Sequence, residues 1–593
     1  MDRKDANQKY KWDLQKIYAT NELWQKDYDY LKNNYKKLYD YKGQLKDKDK
    51  LLDYLNFERV LSLILDKLSY YSYLSHDINL NSPIYNEQLG LIENLQSLMA
   101  SETSFVLPEL NTLSDEQLTG IINDKRFFNN RFLFKNILLN RKHLLSEKEE
   151  KICSLAGSFS GGFSKVYDDL TEVDTKFAPI VIDGKEYPLT IENFSLYITN
   201  ENRDIRKQAY DNLYNKYKEI SHTTSTCYIY DIKSETFDLK LRNYDSLLQA
   251  LLYSSQIDER VYYNLIENVN HNLHLMHRYF KLLGKVKNIE NMQFYDTYLS
   301  ISNNFTNQYD IETQYHLVKQ ALKVLGDDYQ NKLDTAFNNN WIDVYSGENK
   351  SSGGYNFCIY STTPHIFLND NGNYNSLSTL AHELGHAMHS AYTNETQPYE
   401  TSNIQIFIAE IASTTNEILL NKYLLNTTTD KKEKIFLLDQ FIKNTKATVF
   451  RQTMFSEFED YAHKLVEQDK PISNEILNNE YKELLKKHFG DAVNIDDKIV
   501  FEWSRINHFF RPYYVYKYAT SYVCANYIAT NIYNGTNNML EKYINLLKSG
   551  NSDYPTNLLK LVDIDLTKND VYDLMFENLE NAISSLEKLI LEN

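Results

Sequence analysis

The chain has 593 residues, with 64 Lys and Arg against 81 Asp and Glu for a formal net charge of −17; this acidic excess, with no concentrated basic stripe, argues against a nucleic-acid partner. The length requires two or more lobes, and only 17 glycines and 9 prolines interrupt it, which predicts a mainly α fold. No uncharged apolar run approaches the ~18 residues of a membrane span, and the start Met1-Asp2-Arg3-Lys4-Asp5 has no signal-peptide core, so the expected address is the cytoplasm, away from the membrane.

From the N-terminus, helical patterns broken at Asn81-Ser82-Pro83, Leu107-Pro108 and Gly157 to Gly162 predict a helical lobe over residues 1–200, and Leu133 to Leu155 keeps the same period. Val181 to Pro188, with Asp183-Gly184 at its turn, predicts a short hairpin before helices resume near Glu192. A boundary near Asn200 leaves residues 201–593 as the domain that carries the chemistry. Cys153, Cys227, Cys358 and Cys524 are widely scattered, which predicts free thiols rather than a zinc knuckle or redox pair. Gly353 to Tyr360 and His365 to Leu368 are β-prone and predict a small sheet. Its edge could pair with an extended peptide backbone, or the sheet could serve only to pack the next helix.

That next helix carries His382-Glu383-Leu384-Gly385-His386. Four residues advance roughly 400° and about 6 Å along a helix, so both imidazoles face one ion while Glu383 reaches the metal's water. A single histidine is more often a core residue bonded to a carbonyl; two at this spacing around a glutamate point to a catalytic zinc. Such a zinc needs a third protein ligand and an open position. Glu410 is the leading candidate because it interrupts the apolar run Ile404 to Ala412, where an unpaired carboxylate would be costly. The loop Thr393 to Asn403 lets a second helix run back, with Glu410 about two turns into it. His389, Glu395 and Glu400 lack that apolar setting, and Glu417 follows the polar Ser413 to Asn416. Ser413, one turn after Glu410, could hydrogen-bond the carboxylate or face solvent.

Ile435 to Leu465 is helical in pattern. Beyond it, His508-Phe509-Phe510-Arg511-Pro512-Tyr513-Tyr514 to Tyr518 forms a polar and aromatic cluster, with Pro512 suited to the first turn of a helix and Tyr514, Tyr518 and Tyr522 on one face. Aromatics at this spacing are more often core than catalytic, and the residues alone leave both readings open.

Trp12-Asp13-Leu14, Trp341 to Tyr345, Ser352 to Tyr355, Thr379 to His386, Glu410 to Thr414 and Tyr514 to Thr520 together resemble the oligoendopeptidase F group of the thimet oligopeptidase family of zinc peptidases. The resemblance implies a largely helical, two-lobed ellipsoid with a deep internal channel, one zinc ion held by His382, His386 and Glu410, and Glu383 as the catalytic glutamate. It also implies that His508 and late tyrosines contact the scissile carbonyl, with Tyr514 and Tyr518 favoured and Tyr513 and Tyr516 as alternatives. The expected reaction is hydrolysis of internal bonds in short, unstructured oligopeptides, with Glu383 taking a proton from the metal's water and His508 and a tyrosine stabilising the oxyanion. A carboxypeptidase using Arg511 to hold a free C-terminus is the alternative enzyme, and a peptide-binding protein with a structural zinc the alternative outside catalysis; the latter would normally require a fourth protein ligand, for which only Cys358 is near in sequence.

Overall fold

Helices make up 72% of the computed structural model, which describes residues 2–302, 305, 307–536 and 538–591. Several of them begin where a short polar side chain takes up the first free backbone N–H groups. Helix α1 (Lys48–Ile78) follows Asp47, whose carboxylate accepts from the N–H groups of Asp49 and Lys50. Helix α2 (Pro83–Thr103) follows Ser82 and has Pro83 in its first turn, where a missing N–H removes no helical bond, so the chain breaks at Asn81-Ser82-Pro83 as expected. The break expected at Leu107-Pro108 is absent. Pro108 is the third residue of the short helix Val106–Leu110, a position whose N–H has no partner within the helix. Helix Glu147–Ser160 runs through Gly157 and the next begins at Gly162, so that interruption narrows to Gly161.

Strands β1 (Ile180–Ile182) and β2 (Lys185–Tyr187) pair antiparallel around Asp183 and Gly184, both at positive φ (51° and 76°), as the Asp-Gly pair predicts for a type I′ turn. Helix α3 (Arg203–Leu241) follows, capped by Asn202. A second sheet holds β3 (Ile342–Asp343), β4 (Tyr355–Phe357) and β5 (His365–Phe367), with β5 central, β3 parallel to it and β4 antiparallel. Trp12 seals this sheet. Its indole N–H lies 3.0 Å from the carbonyls of both Trp341 and Ile366, and beneath it the fully buried Asp343 carboxylate pairs with Arg3 at 2.7 Å and Lys350 at 2.9 Å. Two charged partners are what allow a carboxylate to stay ionised there. Helices α4 (Tyr374–Thr396), α5 (Ile406–Thr427), α6 (Arg451–Glu467) and α7 (Tyr516–Tyr533) complete the principal elements. Ile435 to Leu465 is helical as expected, through a π-helical turn at Lys446–Phe450.

Two compact units are assembled from interleaved stretches: Met1–Lys142, Thr306–Tyr423 and Ile528–Asp563 form the first, and His143–Phe305, Leu424–Tyr527 and Ile564–Asn593 the second. Residue 200 lies inside the second. The first unit's core gathers Trp24, Leu31, Leu38, Leu61 and Leu68, and the Trp12 cluster adds Tyr70, Leu74 and Phe367. Within the second, the buried Arg206 guanidinium donates to Asp296 at 2.6 Å, and the buried Glu502 carboxylate accepts from Arg451 and Tyr481. No described helix is long and apolar enough to cross a membrane.

Candidate metal centre

Helix α4 is anchored by Asn373, whose side chain accepts from the Ser376 N–H at 3.0 Å. Leu377, Leu380, Ala381, Leu384, Ala387 and Met388 are fully buried and fix the helix's rotation, leaving His382 and His386 one turn apart on a half-buried face. Helix α5 packs closely against it. A Cβ on Gly385 would lie 2.5 Å from the Ser413 Cα and 2.6 Å from the Ala412 carbonyl oxygen, so only glycine permits this approach. Asn416 ties the pair further, donating to the Ala381 carbonyl at 3.1 Å and accepting from the Tyr329 hydroxyl. Helix α4 continues to Thr396, past the expected loop start at Thr393, and α5 begins at Ile406. Glu410 is therefore little more than one turn into α5, where two had been expected.

Three donor atoms converge. The Nε2 atoms of His382 and His386 are 3.1 Å apart and lie 3.4 and 3.5 Å from Glu410 Oε2. A zinc ion bound at about 2.0–2.1 Å sets edges of about 3.3 Å in a tetrahedron, so these spacings match one tetrahedral face. Among the described residues, this is the group of three whose ligand atoms gather as a metal needs. Burial disfavours the Glu410 charge, yet His386, His382 and the Ser413 hydroxyl, 3.1 Å away, hold its carboxyl down at about 2. The expected contact from Ser413 is thus present. For Glu383, 6% exposed, burial pushes the carboxyl up while the histidines pull it back, which suits a group that must accept and release a proton.

Glu417 is the residue that sequence reasoning set aside. Its Oε1 lies 2.5 Å from His382 Nδ1, and its Oε2 accepts from the Ser378 hydroxyl at 3.1 Å. A proton held on Nδ1 leaves the Nε2 lone pair turned toward His386 and Glu410. Burial opposes the charged His382 ring, but Glu417, with Glu383 and Glu410 behind it, holds the ring up at about 9 in the metal-free protein. The available signal was spacing: Glu417 follows Glu410 by seven residues, two helical turns, and Ser378 precedes His382 by four. The other rivals have separate fates. His389 is buried and pushed down to about 3, Glu395 pairs with Lys332, and Glu400 pairs with Arg59 at 3.4 Å. Cys358 accepts from Asn394, and burial raises its thiol to about 12.

In the second unit, His508, Tyr514 and Tyr518 meet. The His508 ring stacks over Tyr514 at 6.2 Å, and Tyr518 stands edge-on to both, at 6.3 and 5.4 Å. Burial and Arg511 lower the His508 pKa. Tyr513 and Tyr516 are buried at 2% and 0% exposure, with the Tyr513 hydroxyl on Asp460, and Tyr522 is bonded to Thr445; these rings are core. Pro512 does not open a helix. Tyr513 takes a left-handed φ of 49°, and α7 starts only at Tyr516, so Tyr514 lies ahead of the helix that carries Tyr518 and Tyr522.

Residues 196–577 match the model of peptidase family M3, and residues 109–177 match that of oligopeptidase F. The chain is 34% identical to oligopeptidase PepF of Bacillus subtilis, over 100% of its own length and 89% of that protein's. It is also 34% identical to group B oligopeptidase PepB of Streptococcus agalactiae, covering 99% and 98% of the two chains. The solved structure of oligoendopeptidase-F from Enterococcus faecium superposes with a TM-score of 0.75 at 29% identity, over 97% of this chain and 100% of the other.

Proposed function

The chain belongs to peptidase family M3, a family of metallopeptidases, and on that premise we propose that it is a zinc-dependent endopeptidase that cuts internal bonds of short, unstructured oligopeptides with Glu383 as general base. The observation that carries the proposal is the convergence of His382 Nε2, His386 Nε2 and Glu410 Oε2 at zinc-like spacings, with Glu383 on the same helical turn. The naming of two relatives as oligopeptidases supports the substrate class. One ion would be held by His382, His386 and Glu410. When bound, zinc supplies a Lewis acid that polarises a peptide carbonyl and acidifies water.

The protein's own groups do the rest. Glu383 takes the proton from the attacking water and hands it to the leaving amine, which its raised carboxyl pKa favours. Glu417 fixes the His382 tautomer through Nδ1. His508, with Tyr514 or Tyr518, donates to the developing oxyanion, a kind of contact worth ~3 to 4 kcal/mol of barrier. Strand β4, at one edge of its sheet, offers backbone groups to an extended peptide, and Gly354 beside it lies so near the zinc-ligand helix that an added Cβ would stand 3.2 Å from the Thr379 methyl. Division near residue 200 into an N-terminal helical lobe and a catalytic domain is kept as part of the proposal, supported by the family match that starts at residue 196. A cytoplasmic location, which free thiols at all four cysteines fit, is part of it too.

Glu383→Gln tests the mechanism directly. The variant should bind zinc as the parent does and lose about 10²- to 10⁴-fold in kcat. Peptide hydrolysis at the parent's rate would defeat the assignment.

A further inference from the structure

Helices α4 and α5 meet along a seam of polar side chains. On α4, Ser378, His382 and His386 follow at intervals of four residues, so they stack one turn above another on one face. Two carboxylates of α5 reach that face. Glu410 turns one oxygen to both Nε2 atoms and takes the Ser413 hydroxyl of its own helix on the same oxygen at 3.1 Å. Glu417 instead spreads its two oxygens over one turn of α4. Its Oε1 lies 2.5 Å from His382 Nδ1, and its Oε2 accepts from the Ser378 hydroxyl at 3.1 Å. All of these residues belong to the first compact unit.

The second of those Glu417 oxygens decides how well the first can act. The last torsion of a glutamate side chain and the ring torsion of a histidine both lie in broad wells, so neither group fixes its own plane. A carboxylate held by Nδ1 alone can rock about its Cγ–Cδ bond and carry the ring with it. A second donor one turn away removes that freedom, because a carboxylate gripped at both oxygens has one orientation left. His382 then presents Nε2 to His386 Nε2 at 3.1 Å and to Glu410 Oε2 at 3.4 Å. Ser378, His382 and Glu417 are each only partly exposed, and a hydroxyl bound to a carboxylate makes a stronger bond than one between neutral groups.

We propose that Ser378 is a positioning residue of the metal centre: through Glu417 its hydroxyl sets the angle of the His382 ring, and so the place of the Nε2 donor. The proposal rests on the metal-centre reading above. Ser378 itself touches neither metal nor substrate, and it acts only while Glu417 is there to be oriented. Its loss therefore loosens one ligand of three and leaves the packing of α4, which the fully buried Leu377, Leu380 and Ala381 supply, as it was.

The test is a double-mutant cycle read by metal binding. Zinc affinity is measured by competition with a chromophoric chelator for the parent, Ser378→Ala, Glu417→Ala and the two combined, and the visible spectrum of the cobalt(II)-loaded proteins reports the ligand geometry. Ser378→Ala should weaken zinc binding about tenfold and change the cobalt spectrum, while the metal-free protein melts as the parent does. Ser378→Thr, which keeps the hydroxyl, should restore the parent's affinity. Ser378→Cys, close in shape but a weak donor, should fall as Ser378→Ala does. In the Glu417→Ala protein the further loss of the Ser378 hydroxyl should change affinity by only about onefold, because no carboxylate is left to orient. Parental affinity and spectrum in Ser378→Ala, or the same loss with Glu417 absent, would overturn the role of Ser378 and leave the metal-centre reading standing. A parent that binds no zinc, or that binds it equally well after His382→Ala, would overturn that reading and this proposal with it.

Discussion

Glu410 and Glu417 are carboxylates two turns apart on one helix with opposite tasks. Glu410 turns Oε2 toward two Nε2 atoms, while Glu417 grips the far side of one of those rings. Glu417→Gln should weaken zinc binding by about 10- to 100-fold, measured by competition with a chromophoric chelator, while Glu383 stays in place. The same substitution should alter how the metal-free protein responds to pH. His382, held at about 9 against its ordinary 6.5, contributes stability that is complete below pH 6.5 and lost as pH rises through about 9. Glu410, held at about 2 against 4.5, contributes stability present above pH 4.5 and lost as pH falls through about 2. Urea unfolding of chelator-treated protein should therefore show the parent losing stability between about pH 6.5 and about pH 9 by more than Glu417→Gln does. Equal losses would mean that Glu417 does not hold the His382 proton. His382, Glu383, His386 and Glu410 were legible in the sequence because helical spacing and an acid in an apolar run are local signals. Glu417 was hidden, since the polar Ser413 to Asn416 before it reads as a solvent face although Ser413, Thr415 and Asn416 are fully buried.

At the scale of elements, the centre depends on how closely α4 and α5 approach, and Gly385 sets that distance. Its neighbours are backbone atoms of Ala412 and Ser413, which cannot swing aside as a side chain could. Gly385→Ala should push Glu410 away from the histidines, costing about 1–3 kcal/mol of stability and weakening zinc binding as well. Thermal melting with metal titration measures both, and parental values in each would show that the helices have room to spare. The small sheet and the Asp183-Gly184 hairpin were legible from β-prone runs and turn chemistry. The start of α7 was not. Pro512 reads as a helix opener, but Glu459 accepts the Tyr513 N–H at 2.7 Å and Tyr513 adopts a left-handed φ, a tertiary choice that no local pattern carries.

Across the whole molecule, each compact unit draws on three separate stretches of chain. Helical periodicity announced a mainly α protein, but periodicity says nothing about which distant stretches share a core. Trp12 packing on Trp341 and Ile366 is such a pairing, across more than three hundred residues of sequence. The central claim, that a metal held by His382, His386 and Glu410 serves internal peptide-bond cleavage, is a claim about the assembled protein. Its most direct test is mass spectrometry of a mixed library of free-acid and C-terminally amidated peptides digested with and without a chelator. The account predicts internal cuts in both peptide forms, abolished by the chelator and restored by zinc. Cleavage that persists in the chelator, or that is confined to C-terminal residues of the free acids, would contradict it.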